Sequence, residues 1–152
     1  MSNGAPNTFQ RVLVGIDFSA DSLSALQLAH ARFADPTATL VLVHAADAAE
    51  DLSDYADLRG QVVSAQAGDV QRQLLTLAAA HRTGWQDVQT VLELGKPVDV
   101  ILAAAHTWRA DLVVLGSHGK TSLTRTLFGG TTYSVARKVS CSVLVLRAGQ
   151  VA

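Results

Sequence analysis

The sequence predicts an α/β fold: one open sheet of five parallel strands with helices on both faces. Three observations carry the prediction. Five short apolar runs punctuate the chain. Longer segments between them place apolar residues at helical spacing. The links are short, and strands that alternate with helices close into a parallel sheet through right-handed crossovers.

The first run is Arg11 to Asp17, RVLVGID, and the second is Thr39 to Ala45, TLVLVHA. Runs apolar throughout suit strands covered on both faces. The third, Val88 to Leu94, VQTVLEL, alternates apolar with polar and suits an edge strand. The fourth and fifth are Leu112 to Gly116, LVVLG, and Ser142 to Leu146, SVLVL. The first helix is expected from Ser22 to Ala34, with Leu23, Leu26 and Ala29/His30 on one stripe and with Ser19 and Asp21 as capping residue types ahead of it. A loop near Ala46 to Asp54 and a long helix to Arg82 follow, with Gly84 as its C′ stop. Pro97 opens a helix that runs to Trp108, and Thr131 to Val139 forms the last.

The 152 residues suit one domain, read as 11–148 behind a flexible polar leader, 1–10. At 49% hydrophobic and 16% charged, the chain carries enough apolar material for a core. A net charge of −1 gives no basic field for nucleic acid. The lone cysteine, Cys141, excludes an internal disulfide and a cysteine zinc cluster, and reads as a core residue. Trp85 and Trp108 read as packing residues. No run approaches the roughly 20 apolar residues of a membrane span, and the start lacks a secretory layout. The expectation is a soluble cytoplasmic protein.

In open parallel sheets, ligands bind outside the carboxyl ends of the strands, where strand order reverses. Gly116 to Gly130, GSHGKTSLTRTLFGG, begins at such an end. Its Gly119-Lys120-Thr121 invites a P-loop reading, but G-x-x-x-x-G-K-[ST] would require glycine where Val114 stands, inside a strand. A different phosphate cradle fits. Gly116 and Gly119 let backbone N–H groups approach a ligand, and Gly129-Gly130 lead into a helix start whose free N–H groups favour an anion. Lys120 and Arg125 lie between and would add positive charge.

Asp17 ends the first strand, where its carboxylate faces either ribose hydroxyls or, with Ser19, the start of the next helix. His44, among apolar residues, reads as a histidine satisfied by a backbone group. His118 lies on the glycine loop without a sequence partner for a hydrolytic triad. No cluster has metal-ligand spacing.

These residues resemble the universal stress protein family over about Gln10 to Arg147. RVLVGIDFSADSLSALQLA is similar to its opening strand, Asp-Phe-Ser turn and first helix. GKPVDVILAAAHTWRADLVVLGSHGKTSLTRTLFGG is similar to its most recognisable segment, and CSVLVLR to its closing strand. The resemblance implies a Rossmann-like, adenine nucleotide alpha hydrolase-like sheet in strand order 3-2-1-4-5. The ATP-binding branch carries G-x2-G-x9-G-[ST]. Gly116, Gly119 and Gly129 match, whereas Gly130 stands where the hydroxyl belongs and Thr131 supplies one a residue later. One such hydrogen bond to a charged group is worth about 1.5–3 kcal/mol.

By position, the resemblance implies Gly15, Ile16 and Asp17 beside the adenosine, Leu40 against adenine, and Leu115 and Gly116 along the ribose. It implies His118, Gly119, Gly129, Gly130, Thr131 and Thr132 around the phosphates, with Lys120 within reach. The implied ligand is ATP, with or without Mg2+, AMP and ADP being the alternatives. The implied assembly is a homodimer joined through Ser142 to Leu146, acting on a protein partner in stress regulation. No residue is suited to orient an attacking water, so the expected chemistry is at most slow ATP hydrolysis. The alternative reading is a dimeric scaffold that binds no nucleotide.

Overall fold

The computed structural model describes residues 9–46, 59–117 and 129–147. The elements are β1 (Arg11–Gly15), α1 (Ala20–Phe33), β2 (Thr39–Ala46), α2 (Arg59–Ala80), β3 (Asp87–Leu94), α3 (Pro97–Thr107), β4 (Leu112–Gly116), α4 (Gly130–Lys138) and β5 (Ser142–Leu146). The five strands form one sheet in the order β3-β2-β1-β4-β5, every pair parallel. The expected fold and strand order are those observed.

Alternation along the strands sends side chains into two cores. On one face Val12, Val14, Leu40, Leu42 and Val114 meet Ala25, Leu26 and Ala29 of α1 and Leu74 and Ala78 of α2. On the other, Leu13, Val41, Val43, Val113 and Leu115 meet Val100, Ile101, Ala104 and Ala105 of α3 and Val135 of α4. Burying each Val or Leu contributes about 1.5–3 kcal/mol, which explains why the apolar runs of β1, β2 and β4 became the central strands. β3 lies at one edge, matching its alternating pattern, and β5 lies at the other.

Element ends differ from the expectation for local reasons. β1 ends at Gly15, and the Ile16 N–H closes its last rung, donating to Val43 O at 2.7 Å. α2 runs through Gly68 and ends at Ala80. Gly84 is therefore no C′ residue. It takes φ +95° in the turn before Trp85, whose own N–H donates to Arg82 O. The expected loop from Ala46 and the beginning of the long helix fall largely on 47–58, outside the described residues. Two residues assigned to the leader are packed: the Phe9 ring meets Phe33 edge-on at 5.6 Å, and Gln10 N–H donates to Asp111 Oδ2 at 2.8 Å.

α1 begins where Ser19 caps it, the Ser19 hydroxyl accepting from Ser22 N–H. α3 has Pro97 at its first turn and Trp108 at its C-cap. Beyond it, Ala110 N–H donates to Ala105 O and Arg109 N–H to His106 O, with Arg109 at φ +52°. That bond pair with a left-handed C′ residue is a Schellman motif.

Candidate functional site

β1 and β4 pair through Val14↔Val114 and then separate. Beyond that point β1 stays with β2 at Gly15↔Val43, and β4 stays with β5 at Gly116↔Leu146. Strand order reverses here, so a crevice opens at the carboxyl ends, as doubly wound sheets require. The first turn of α1 borders it on one side and the start of α4 on the other.

Gly116 sits between them. A Cβ there would lie 2.8 Å from the backbone carbon of Asp21 and 2.9 Å from its carbonyl oxygen, so the first turn of α1 packs directly on the strand end. Ser117 comes next and is 1% exposed. Its N–H donates to Leu146 O at 2.9 Å, its carbonyl accepts from Gly129 N–H at 2.7 Å, and its hydroxyl donates to Asp21 Oδ2 at 3.4 Å. These bonds hold the end of β4 and the entry to α4 together across the loop. Gly15 is packed as closely: an added Cβ would lie 2.7 Å from Leu115 Cδ2 and 3.3 Å from Ile101 Cδ1.

Gly129 at the N-cap supplies no side chain, and among the described residues none caps the start of α4. Its first intrahelical bond runs from Tyr133 N–H to Gly129 O at 3.0 Å. The N–H groups of Gly130, Thr131 and Thr132 precede that bond and belong to the set every helix leaves without an internal partner. Together with the positive end of the helix dipole, they favour an anion. Thr132 is buried, and its hydroxyl donates to Gly116 O at 2.8 Å, so its side chain ties the helix to the strand. Among the described residues, no atom outside the helix backbone lies within 4 Å of a Cβ added at Gly130.

On the β1 side, Asp17 Oδ1 accepts from Ser19 N–H at 2.9 Å, and Asp17 N–H donates to the Ser22 hydroxyl at 3.2 Å. The carboxylate thus shapes the turn that launches α1. Phe18 within that turn adopts φ +63°, unusual for a bulky residue and of the kind that clusters at binding sites. His44 Nδ1–H donates to Ile16 O at 2.7 Å, with its ring 5.1 Å from that of Phe18. This is the backbone partner the sequence suggests for it. The carbonyl can only accept, which fixes the hydrogen on Nδ1 in the neutral ring.

The remaining predicted residues are placed as follows. Ile16 is buried against the α1 and α2 side, and Leu115 against α3 and α4, so their backbones are the parts near the crevice. Leu40 is not brought there. It pairs with Val12 near the amino end of β2 and is fully buried. The residue of β2 that reaches the carboxyl end on the Gly15 and Leu115 face is Ala45. Counting back from the end of the second run, rather than from its start, would have found it. Ser117 was also missed, because a single serine in a glycine loop gives no signal of burial. His118, Gly119 and Lys120 lie outside the described residues.

Trp85 is buried and Trp108 packs against the second core, both as packing residues. Cys141 is half-buried there. Burial, then the negative charge of Asp111, push its thiol above its usual range, which disfavours a reactive thiolate. Among the described residues no three His, Cys, Asp or Glu side chains gather as a metal site, and no helix is long and apolar enough to cross a membrane.

Fold and crevice define the class: an open parallel α/β domain whose switch point is bordered by a glycine strand end and a helix start. The sequence matches the model of the Universal stress protein family over residues 8–147, and the chain belongs to that family. A putative universal stress protein of Staphylococcus aureus is 29% identical over 143 residues, covering 92% of this chain and 85% of that one. The structure of a universal stress protein from Lactobacillus plantarum shares 28% identity at a TM-score of 0.69, covering 91% of this chain and 97% of that one. A universal stress protein solved in complex with cAMP shares 27% identity at a TM-score of 0.65, again covering 91% and 97%.

Proposed function

We propose that this protein binds an adenine nucleotide at the β1–β4 crevice and acts as a nucleotide-dependent regulatory module in stress response. The observation that carries the reading is the convergence of the Gly116 strand end with the uncapped start of α4, joined by the Gly129–Ser117 and Thr132–Gly116 bonds. Phosphate would rest on the N–H groups of Gly130, Thr131 and Thr132, with His118, Gly119 and Lys120 completing the cradle. Gly15, Ile16, Asp17 and Ala45 would border the nucleoside. The relative holding cAMP supports an adenine ligand of this general kind. ATP, with or without Mg2+, is the first ligand to test, and AMP, ADP and cAMP follow. Calorimetric titration of nucleotide-free protein with each ligand, with chromatography of what the purified protein releases on denaturation, decides it. Heat of binding with any of them supports the reading. No heat with all of them and no released nucleotide overturn it.

Gly130 favours a second reading, a scaffold whose position 130 offers phosphate no hydroxyl. In either reading β5 supplies a pairing edge. It is a terminal strand whose apolar residues Val143–Leu146 are only half-buried. Sedimentation of the full chain at micromolar concentration should give a dimer, and a monomer would remove the pairing.

A further inference from the structure

We propose that His30, Trp85 and His81 form an acid-sensitive latch that fastens the last turn of α1 to the corner between α2 and β3. The Trp85 indole Nε1–H donates to His30 Nδ1 at 3.0 Å. An indole N–H can only donate, so His30 must be neutral, with its hydrogen on Nε2. A proton added to Nδ1 leaves two donors facing each other, and the bond is lost.

His81 makes the latch asymmetric. Its Nδ1–H donates to Leu77 O at 2.8 Å, a bond that survives protonation because the new hydrogen goes to Nε2. The two imidazole rings are 5.3 Å apart at 82°. A charge on His81 therefore opposes one on His30. Burial, then His81, hold the proton affinity of His30 below its ordinary value. The latch is closed above the ordinary histidine range and opens as pH falls through the lower folded value.

The other charges on these elements do not offset this. Arg32 on α1 and Arg82 after α2 are exposed, and the Asp35 carboxylate is engaged by the Thr37 N–H and hydroxyl. Trp85 faces His30 from the α2–β3 corner with a neutral ring 6.4 Å away. Trp85 is itself buried in the core beside Leu74 and Ala78, so releasing its indole loosens the packing of α2.

The test is nuclear magnetic resonance of the full chain, following the Trp85 indole N–H and the His30 ring between pH 8 and 5. Trp108 serves as internal reference. The Trp85 signal should shift with the same midpoint as His30 while that of Trp108 stays flat. In His30→Gln, whose amide oxygen can still accept but cannot titrate, the Trp85 shift should vanish. In Trp85→Phe no bond is lost on protonation, so the His30 midpoint should rise by roughly half to one pH unit. A Trp85 signal that ignores the His30 titration, or a His30 midpoint unchanged in Trp85→Phe, overturns the latch.

Discussion

The Thr132 hydroxyl donates to the carbonyl oxygen of Gly116 across 2.8 Å, joining the first turn of α4 to the end of a central strand. Both partners are at the crevice, and Thr132 is 6% exposed. Valine has nearly the shape of threonine but no hydroxyl. Thr132→Val should therefore cost about 1–3 kcal/mol, the range for leaving a buried polar group without its partner. Urea denaturation would measure it. A loss below about half a kcal/mol, typical of surface changes, would mean that the tie is dispensable.

Two glycines of the same crevice differ in what confines them. At Gly116 an added methyl meets the backbone of Asp21, which is held in the first turn of α1 and cannot swing aside. At Gly15 the nearest atom is the tip of the Leu115 side chain. Gly116→Ala should cost about 1–3 kcal/mol as overpacking, and Gly15→Ala less. Guanidinium unfolding midpoints of the two variants provide the comparison. The reverse order would show that the Leu115 core face is the more rigid one.

Arg109 lies in the left-handed region at the C′ position of α3, exposed and with both Schellman bonds formed. A left-handed L-residue costs about 1–2 kcal/mol, while glycine loses about 0.4–1 kcal/mol through its freer unfolded chain. Arg109→Gly should therefore be neutral to about 1 kcal/mol more stable, and Arg109→Val should be clearly less stable. Thermal unfolding of the pair checks this. Equal midpoints would mean that the backbone conformation there carries no strain.

The strands were legible because residues such as Val12 to Val14 and Leu40 to Val43 are apolar on both faces, and only a doubly covered sheet satisfies that. Boundaries were less so. Ile16 is apolar yet lies one residue past β1, its N–H closing the last rung of the ladder on Val43 O, a contact 27 residues away. The glycine spacing from Gly116 to Gly129 pointed to a strand end and a helix start, which the structure brings side by side. It could not show that Asp21 packs on Gly116, that Ser117 is buried, or that the Thr132 hydroxyl turns inward. Each of those depends on the chain returning after a helix. Leu40 was misplaced for a related reason: depth along a strand is set by pairing register, here Val12↔Leu40, and not by distance from a motif.

Gly130 offers the sharpest test of the cradle itself. It is the first residue of α4, its N–H is one of those the helix itself leaves without an internal partner, and among the described residues no atom outside the helix backbone lies within 4 Å of an added Cβ. A serine therefore fits without displacing any of the described residues. Its hydroxyl would stand where family members of the ATP-binding pattern carry one. If the proposed function holds, Gly130→Ser should raise affinity for an adenine nucleotide by about three- to tenfold, the modest end of what one hydrogen bond to a charged group contributes. Gly130→Ala is the control. It shares the loss of backbone freedom, and any added stability that follows, but supplies no donor. Calorimetric titration of both variants against the unaltered protein separates the effects. If serine and alanine give the same affinity, the hydroxyl contributes nothing to the proposed site.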